Sequence, residues 1–170
     1  KIYHNLFIFS IPIMSLPISK FINNIPIIDV NPLVDNYKPN QASREIGNAC
    51  KDIGFFYVTN HGISIEHQTK VLKESRNFFQ FPLELKNLIS AKKHSFYSGY
   101  VPFKGEITKG QEDYHEAIDI IRETPLNHPS VLTGHPTRGQ NLWPTWMKSF
   151  KTTMLKHWDF MEELGDNITK

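Results

Sequence analysis

The sequence of 170 residues contains a single cysteine, so no disulfide can form within the chain. Cys50 falls on the apolar face of a predicted helix, where a free thiol behaves as a small hydrophobic side chain. Cysteine used this sparingly is typical of proteins kept in a reducing compartment. The sequence therefore predicts a structural thiol and a cytoplasmic protein.

The sequence also lacks an excess of charge of either sign and a long hydrophobic run. The formal net charge is +2, with both signs interleaved, which argues against a nucleic-acid partner. Residues 6–18 are apolar but too few to span a bilayer, and Pro12 and Pro17 interrupt them. We therefore predict neither nucleic acid nor a membrane as a partner.

Motifs that carry chemistry are absent or incomplete. The sequence has no G-x-S-x-G elbow, no phosphate-binding glycine loop and no cysteine pair. His157 and Asp159 lie two residues apart on a predicted helix, where side chains at that spacing point about 200° apart. His115-Glu116, followed by Asp119, lacks the second histidine of H-E-x-x-H. We predict no metal site here, and the residues alone indicate an α+β domain.

The most informative stretch that is present runs from Gly54 to Ile63, GFFYVTNHGI. A short apolar run at residues 55–58, rich in aromatic residues, predicts a strand buried on both faces. Gly54 is placed to end the preceding helix, and Ser64 is placed to cap the next one. The stretch predicts a helix–strand–helix junction with its strand in the core.

Hydrophobic periodicity predicts the other regular elements. We expect a strand at residues 25–30, helices at 41–53, 65–79 and 83–90, and a last helix from Trp143-Pro144. The predicted apolar faces are Ala42, Ile46, Ala49, Cys50 and Ile53; Val71, Leu72, Phe78 and Phe79; and Met147, Phe150, Met154, Trp158 and Met161.

Residues 92–138 lose helical periodicity and are punctuated by glycine and proline. Residues 117–121 form the one strand predicted in this segment. A long irregular segment inside a compact domain is usually functional or disordered, and its aromatic content favours order.

The two ends of the chain predict its domain organisation. Residues 1–24 are expected to form an extension outside the fold, with a native start at Met14, and residues 25–165 to form one domain. No terminal strand completes a sheet before Lys170. A fragment is therefore expected.

The order and spacing of several short motifs resemble one protein family. They are Ile25-Pro26-Ile27-Ile28-Asp29; the GFFYVTNHGI stretch; Phe78-Phe79-Gln80-Phe81-Pro82 with Glu84 and Lys86; Gly99-Tyr100; Gly105-Glu106, Thr108, Gly110, Asp113 and Glu116; and Gly139, Asn141, Trp143 and Pro144. The pattern resembles the N-terminal region of the isopenicillin N synthase-like 2-oxoglutarate- and Fe(II)-dependent dioxygenases, over residues 25–165.

The resemblance implies a fold and a reaction. The fold is the helical buttress and strands of a double-stranded β-helix, or jelly roll, truncated before its catalytic core. The catalytic domain, with its H-x-D…H iron ligands and R-x-S pair, is expected after residue 170 and would be this chain's partner. The family oxidises small organic substrates with Fe(II), 2-oxoglutarate and O₂, so the 170-residue chain alone is expected to be inactive and marginally stable.

The resemblance assigns no catalytic, cofactor-binding or metal-ligating residue to this chain. It makes Tyr97, Tyr100 and Phe103 candidates for substrate contact, because the irregular segment corresponds to the mouth of the active site. Packing of the same three rings against the barrel is the rival interpretation. His115 stands where many family members carry lysine, which leaves the substrate class open.

Two further hypotheses come from other classes of protein. The chain could be a non-catalytic binding module, or a pseudogene fragment, with the same fold. It could also be an unrelated metalloprotein that uses His115 and His157.

Overall fold

The computed structural model describes residues 21–22, 24–34, 39–93 and 97–169. These residues form two compact units. One contains the described residues up to Thr69 and those from Asp159 onward, and the other is Lys70–Trp158. The predicted domain at residues 25–165 includes parts of both units.

The first unit is built on a β–α–β arrangement. Its elements are β1 (Phe21–Ile22), β2 (Ile25–Asp29), α1 (Asn31–Val34), α2 (Pro39–Asp52) and β3 (Tyr57–Thr59). Strand β2 pairs antiparallel with β1 and parallel with β3, with Ile28 opposite Val58. A parallel pair needs a long crossover, which α2 supplies. The predicted strand at residues 25–30 and helix at 41–53 are confirmed.

The core of the first unit collects apolar side chains from this sheet, from α2 and from the last helix of the chain. Helices α3 (Ile65–Phe79) and α6 (Phe150–Thr169) cross the boundary between the units. The buried members of this core are Ile28, Val30, Ala49, Val58, Ile63 and Leu164. Burial of each such side chain contributes about 1.5–3 kcal/mol relative to leaving it in water.

The prediction of a helix–strand–helix junction around β3 is confirmed, except for the burial of one residue. Gly54 has φ +94° and ends α2, and the Ser64 hydroxyl accepts a hydrogen bond from the His67 amide at 3.2 Å. The strand begins only at Tyr57, so Phe55 precedes it and is 58% exposed. The prediction that residues 55–58 are buried on both faces was therefore wrong at Phe55.

Two helical faces are also narrower than predicted. Ala42 and Ala49 are buried in α2, with Ile46 packed beside them, whereas Cys50 is exposed. One residue beyond Ala49 turns the side chain by about 100°, which carries Cys50 out of the stripe. Leu72 is 40% exposed in α3 for the same reason, since it follows Val71 on the buried face.

The second unit contains the segment that the sequence predicted least well. Its remaining elements are α4 (Leu83–Lys86), 3₁₀ turns at Asn87–Ile89 and Ala91–Lys93, β4 (Gly99–Val101), β5 (Ile107–Thr108), β6 (Gln111–Glu112), β7 (Ala117–Asp119) and α5 (Pro129–Leu132). The strand predicted at residues 117–121 is confirmed as β7. The other strands were missed because two or three residues are too few to show alternation.

The last helix starts later than predicted. A proline at Pro144 suggested a first helical turn, but consecutive i→i+3 turns occupy residues 144–150, with Met147 N–H bonded to Pro144 O at 2.9 Å. Regular α6 begins at Phe150. Phe150 and Met154 are buried with Phe78, Ile89 and Tyr100 in the core of the second unit.

In the part of the chain that the structure describes, no helix has the length and hydropathy that a membrane span requires.

Candidate functional site

The irregular segment is organised around an antiparallel ribbon of two strands. Strand β4 pairs with β7 so that Tyr100 lies opposite Ile118 and Gly99 opposite Asp119. Because side chains alternate along a strand, the two faces of this ribbon carry different residues. Tyr100 and Ile118 point into the core of the second unit, where Phe78 meets the Tyr100 ring edge-on at 6.0 Å.

A buried charged cluster holds the inner face of the ribbon. Lys86 Nζ lies 2.6 Å from Glu116 Oε2 and donates to Phe79 O at 3.1 Å. The Tyr100 hydroxyl donates to the same Glu116 oxygen at 2.5 Å. Lys86 and Tyr100 are only 6% and 1% exposed. We call Lys86, Glu116 and Tyr100 the clasp, because they join three segments that are distant in sequence.

The clasp shifts the titration of its members. Burial alone would raise the pKa of Glu116, but hydrogen bonds from Lys86 and Tyr100, with the charge of Lys86, lower it below its ordinary value. Burial raises the pKa of Tyr100, and the neighbouring Glu116 raises it further. The clasp therefore contains a carboxylate and a neutral phenol at neutral pH.

A second polar group lies on the opposite face of β7 and at His115, two residues before the strand. His115 Nε2 lies 3.3 Å from Glu106 Oε2, and both side chains are about half exposed. Asp119 follows on the same face and is partly buried. Burial raises the pKa of Asp119, the charge of Glu106 raises it further, and His115 opposes both. Two carboxyl groups and an imidazole therefore share this face, which we call the outer face.

Glu106 is held there by a short hairpin of β5 and β6. The Asp113 amide donates to Glu106 O at 3.0 Å, and the Thr108 hydroxyl donates to the Asp113 carboxylate at 2.7 Å. Lys109 and Gly110, with φ +51° and +81°, form the tip. Gly-rich pairs with positive φ suit a two-residue hairpin loop. The glycine and threonine of the family pattern thus build the turn that presents Glu106.

The three predicted substrate-side residues lie in different environments. Tyr97 is 69% and Phe103 56% exposed, and Phe103 contacts the Tyr114 ring edge-on at 5.8 Å. Both remain candidates for substrate contact. Tyr100 is buried in the core, so the prediction that its ring faces substrate does not fit its position. Its hydroxyl is used within the clasp.

Sequence reasoning did not bring Glu106, His115 and Asp119 together. His115 and Asp119 were noted only as an incomplete zinc motif, and Glu106 only for its spacing. The alternation of residues 115, 117 and 119 on a strand was the available signal. The sequence could not identify Glu106 as the residue that contacts His115, because the register of such short strands is not visible in sequence.

Asn141 is a second motif residue whose position is now explained. Its buried side chain accepts from Ser98 Oγ at 2.9 Å and from the Ile121 amide at 2.8 Å, and it donates to Ile121 O at 2.8 Å. One carboxamide thus replaces the strand pairing that would satisfy Ile121. It ties the residues after β7 to those before β4.

We expect Asn141→Ala to lower the free energy of unfolding by about 2–3 kcal/mol, because it leaves three buried polar groups without their partner. Urea denaturation measures this change. Asn127→Ala, at an exposed position, is the matched control and should stay within about 0.5 kcal/mol of the parent. Equal effects from the two variants would contradict the role given to Asn141.

The described residues do not fit an iron site. Among them, no group of three or more histidine, cysteine or acidic side chains could hold a metal ion. His157 and Asp159 lie on α6, as predicted. The Asp113 carboxylate binds Thr108, and His115 contacts Glu106.

The chain matches the family model described as non-haem dioxygenase in morphine synthesis N-terminal, over residues 25–146. It is 32% identical to a homoarginine-6-hydroxylase of Arabidopsis thaliana over 90% of this chain and 45% of that protein. A homoarginine-6-hydroxylase of Oryza sativa subsp. japonica is 33% identical over 86% of this chain and 47% of its own length. A 2-oxoglutarate-Fe(II) type oxidoreductase of Emericella nidulans is 27% identical over 84% and 43%.

Solved structures share the fold. A Caulobacter crescentus protein assigned to the 2OG-Fe(II) oxygenase family superposes with a TM-score of 0.69 at 20% identity, covering 85% of this chain and 46% of that one. A full-length Neurospora crassa protein in complex with alpha-KG and thymine gives 0.64 at 23% identity, over 83% and 45%.

The chain spans about half the length of the curated relatives it matches. The family model covers well over half of the chain and describes an N-terminal region. Residues 25–146 include the clasp, the hairpin and the outer face, so the geometry above is that of the matched region. The chain therefore belongs to the 2-oxoglutarate- and Fe(II)-dependent dioxygenase superfamily, whose N-terminal region it represents.

Proposed function

We propose that this chain works as the N-terminal half of an oxygenase that oxidises a small organic substrate with Fe(II), 2-oxoglutarate and O₂. In that enzyme it would support the catalytic barrel and line the substrate entrance. The observation that carries the proposal is the family match over residues 25–146. The ordered ribbon, with polar side chains on its outer face and exposed aromatic rings beside it, supports a role in contacting substrate. A cytoplasmic location is part of the proposal, supported by the single cysteine.

For the substrate we propose a cationic amino acid of the homoarginine type. Two relatives at 32% and 33% identity are named homoarginine-6-hydroxylases. Glu106 and Asp119 on the outer face offer carboxylates to such a substrate. A guanidinium group binds carboxylates through paired, charge-assisted hydrogen bonds, so the chemistry is complementary.

The test uses the protein expressed from the full open reading frame. Decarboxylation of 2-oxoglutarate is measured with Fe(II) and three amino acids: homoarginine, lysine, and homocitrulline as the neutral isostere of homoarginine. We expect homoarginine to stimulate turnover most and homocitrulline to do so at least about tenfold less, because a buried charge-assisted hydrogen bond is worth about 1.5–3 kcal/mol.

Variants then test the two carboxylates. Asp119→Asn and Glu106→Gln should each raise KM for homoarginine about tenfold, with Glu84→Gln on α4 as the control. Equal turnover of homoarginine and homocitrulline would contradict the proposal of a cationic substrate, while the proposal of an oxygenase would stand. Absence of turnover of 2-oxoglutarate with every substrate would favour the non-catalytic module.

A further inference from the structure

The clasp is an unexpected use of charge in a protein core. Lys86 has a side chain 8% exposed, and the Glu116 side chain is 30% exposed. Desolvating such a pair is costly, and replacing it with well-packed apolar residues is often neutral or stabilising. Stability alone therefore does not account for two polar groups that converge on one Glu116 oxygen. A directional network does something that apolar packing does not, because it fixes the position of the strand that carries it.

The strand in question carries the outer-face residues. Glu116 contacts Lys86 and Ile118 packs in the core, so Asp119, next to Ile118 on β7, points the other way. His115, which precedes Glu116, contacts Glu106. Glu116 lies directly before β7 and directly after His115, so a shift of its backbone displaces His115 and the start of the three-residue strand that ends at Asp119. Glu106 depends on the same ribbon through Gly105, whose amide donates to Pro102 O at 2.7 Å just after β4. A Cβ atom at Gly105 would lie only 2.9 Å from Val101 Cγ1, so this segment lies close against β4.

We propose that the clasp is a positioning device: Lys86, Glu116 and Tyr100 hold β7 so that Asp119 and His115 face Glu106 at the substrate side. None of the three touches substrate in this arrangement. The inference rests on the proposed function for its benefit to the enzyme, but the positioning itself can be measured separately from activity.

The test replaces the clasp by apolar packing and follows Asp119. The double substitution Lys86→Met with Glu116→Leu removes one charge of each sign. Tyr100→Phe removes one hydroxyl and no charge. Each is made in the protein expressed from the full open reading frame, and the Asp119 carboxyl is titrated by ¹³C NMR alongside a thermal melt. The charged groups that act on Asp119 are Glu106, just before the hairpin, and His115, just before β7, and none of these variants changes them.

We expect the pKa of Asp119 to fall toward the ordinary aspartate range in both variants, because a loosened β7 leaves the carboxyl less buried and farther from Glu106. Tyr97→Phe, a substitution of the same kind at an exposed ring, should leave the pKa unchanged. If the double variant does not fold, the Asp119 titration in Tyr100→Phe provides the test, since this substitution removes only one oxygen atom and disturbs the fold least. An unchanged Asp119 titration in folded Tyr100→Phe would overturn the proposal.

A second readout separates this inference from the proposed function. In the protein from the full reading frame, Tyr100→Phe should raise KM for the substrate by up to about a hundredfold with little change in kcat. A changed Asp119 titration in an enzyme that shows no activity, parent and variants alike, would contradict the oxygenase proposal and support the positioning role of the clasp. Unchanged Asp119 and unchanged KM in an active enzyme would reject the clasp and keep the oxygenase.

Discussion

Glu116→Ala is expected to destabilise the folded chain by about 3–5 kcal/mol, which is the usual cost of removing one partner from a buried ion pair. The substitution leaves the Lys86 ammonium, with its side chain 8% exposed, without its carboxylate. It also leaves the buried Tyr100 hydroxyl without its acceptor. Urea denaturation followed by circular dichroism measures the change.

The matched control for this substitution is Glu112→Ala. Glu112 pairs with Lys104 at 2.9 Å, but both side chains are well exposed, at 54% and 39%. Exposed pairs contribute about 0–1 kcal/mol, so this variant should remain close to the parent. A Glu116→Ala chain that is as stable as Glu112→Ala would show that the buried pair does not stabilise the second unit.

The same pair should also leave a signature in the pH dependence of stability. The pKa of Glu116 is lower in the folded chain than in the unfolded one. Its contribution is therefore fully present above the unfolded value and is lost as the pH falls through the folded value. Glu116→Gln, which cannot ionise, should lack this component of acid destabilisation.

Gly99→Ala is expected to lower the free energy of unfolding by about 3 kcal/mol or more, through strain and overpacking together. Gly99 has φ +121°, a conformation that side chains disfavour. A Cβ atom there would lie 2.6 Å from Ile89 O and 2.9 Å from Ala91 N. Both are backbone atoms, so the clash cannot be relieved by turning a side chain.

Gly47→Ala is the control for this second prediction. Gly47 lies within α2 and has open space around its Cα. Alanine there should stabilise the chain by about 0.5–1 kcal/mol, because glycine weakens a helix interior. The two substitutions add the same methyl group, and we expect them to shift the melting temperature in opposite directions. Two stabilised variants would mean that β4 does not lie close to the 3₁₀ turns before it.

The sequence was most informative where one element is long enough to show its period. The helix predicted at residues 65–79 matches α3, and the turn residues around β3 behave as their chemistry suggests. The apolar stripes were read too widely, because a hydrophobic residue next to a stripe looks the same in sequence as one within it. Cys50 and Leu72 are of this kind.

The sequence was least informative in the segment that carries the candidate site. Strands β4 to β7 are two or three residues long, and the pairing of β4 with β7 joins residues that are distant in sequence. Tyr100 illustrates the difficulty: the family resemblance made it a candidate for substrate contact, with packing as the rival interpretation, and it is buried with its hydroxyl on Glu116. Only the structure separates a motif residue that holds the site from one that faces it.

The family pattern acquires a physical meaning from these contacts. Three of its residues support the ribbon. Gly99 allows a close backbone approach, Asn141 binds Ile121, and Glu116 binds Tyr100. Glu106 belongs to the same pattern but lies on the outer face. The resemblance named these residues together, while burial and hydrogen bonding divide them into those that hold the ribbon and those on its outer face.

The most direct test of the central claim is to read the coding sequence past the codon for Lys170. If this chain is the N-terminal half of a 2-oxoglutarate- and Fe(II)-dependent oxygenase, the open frame continues and encodes H-x-D, a later histidine and R-x-S. A stop codon directly after Lys170 would contradict the claim, because the described residues offer no group that could hold the iron.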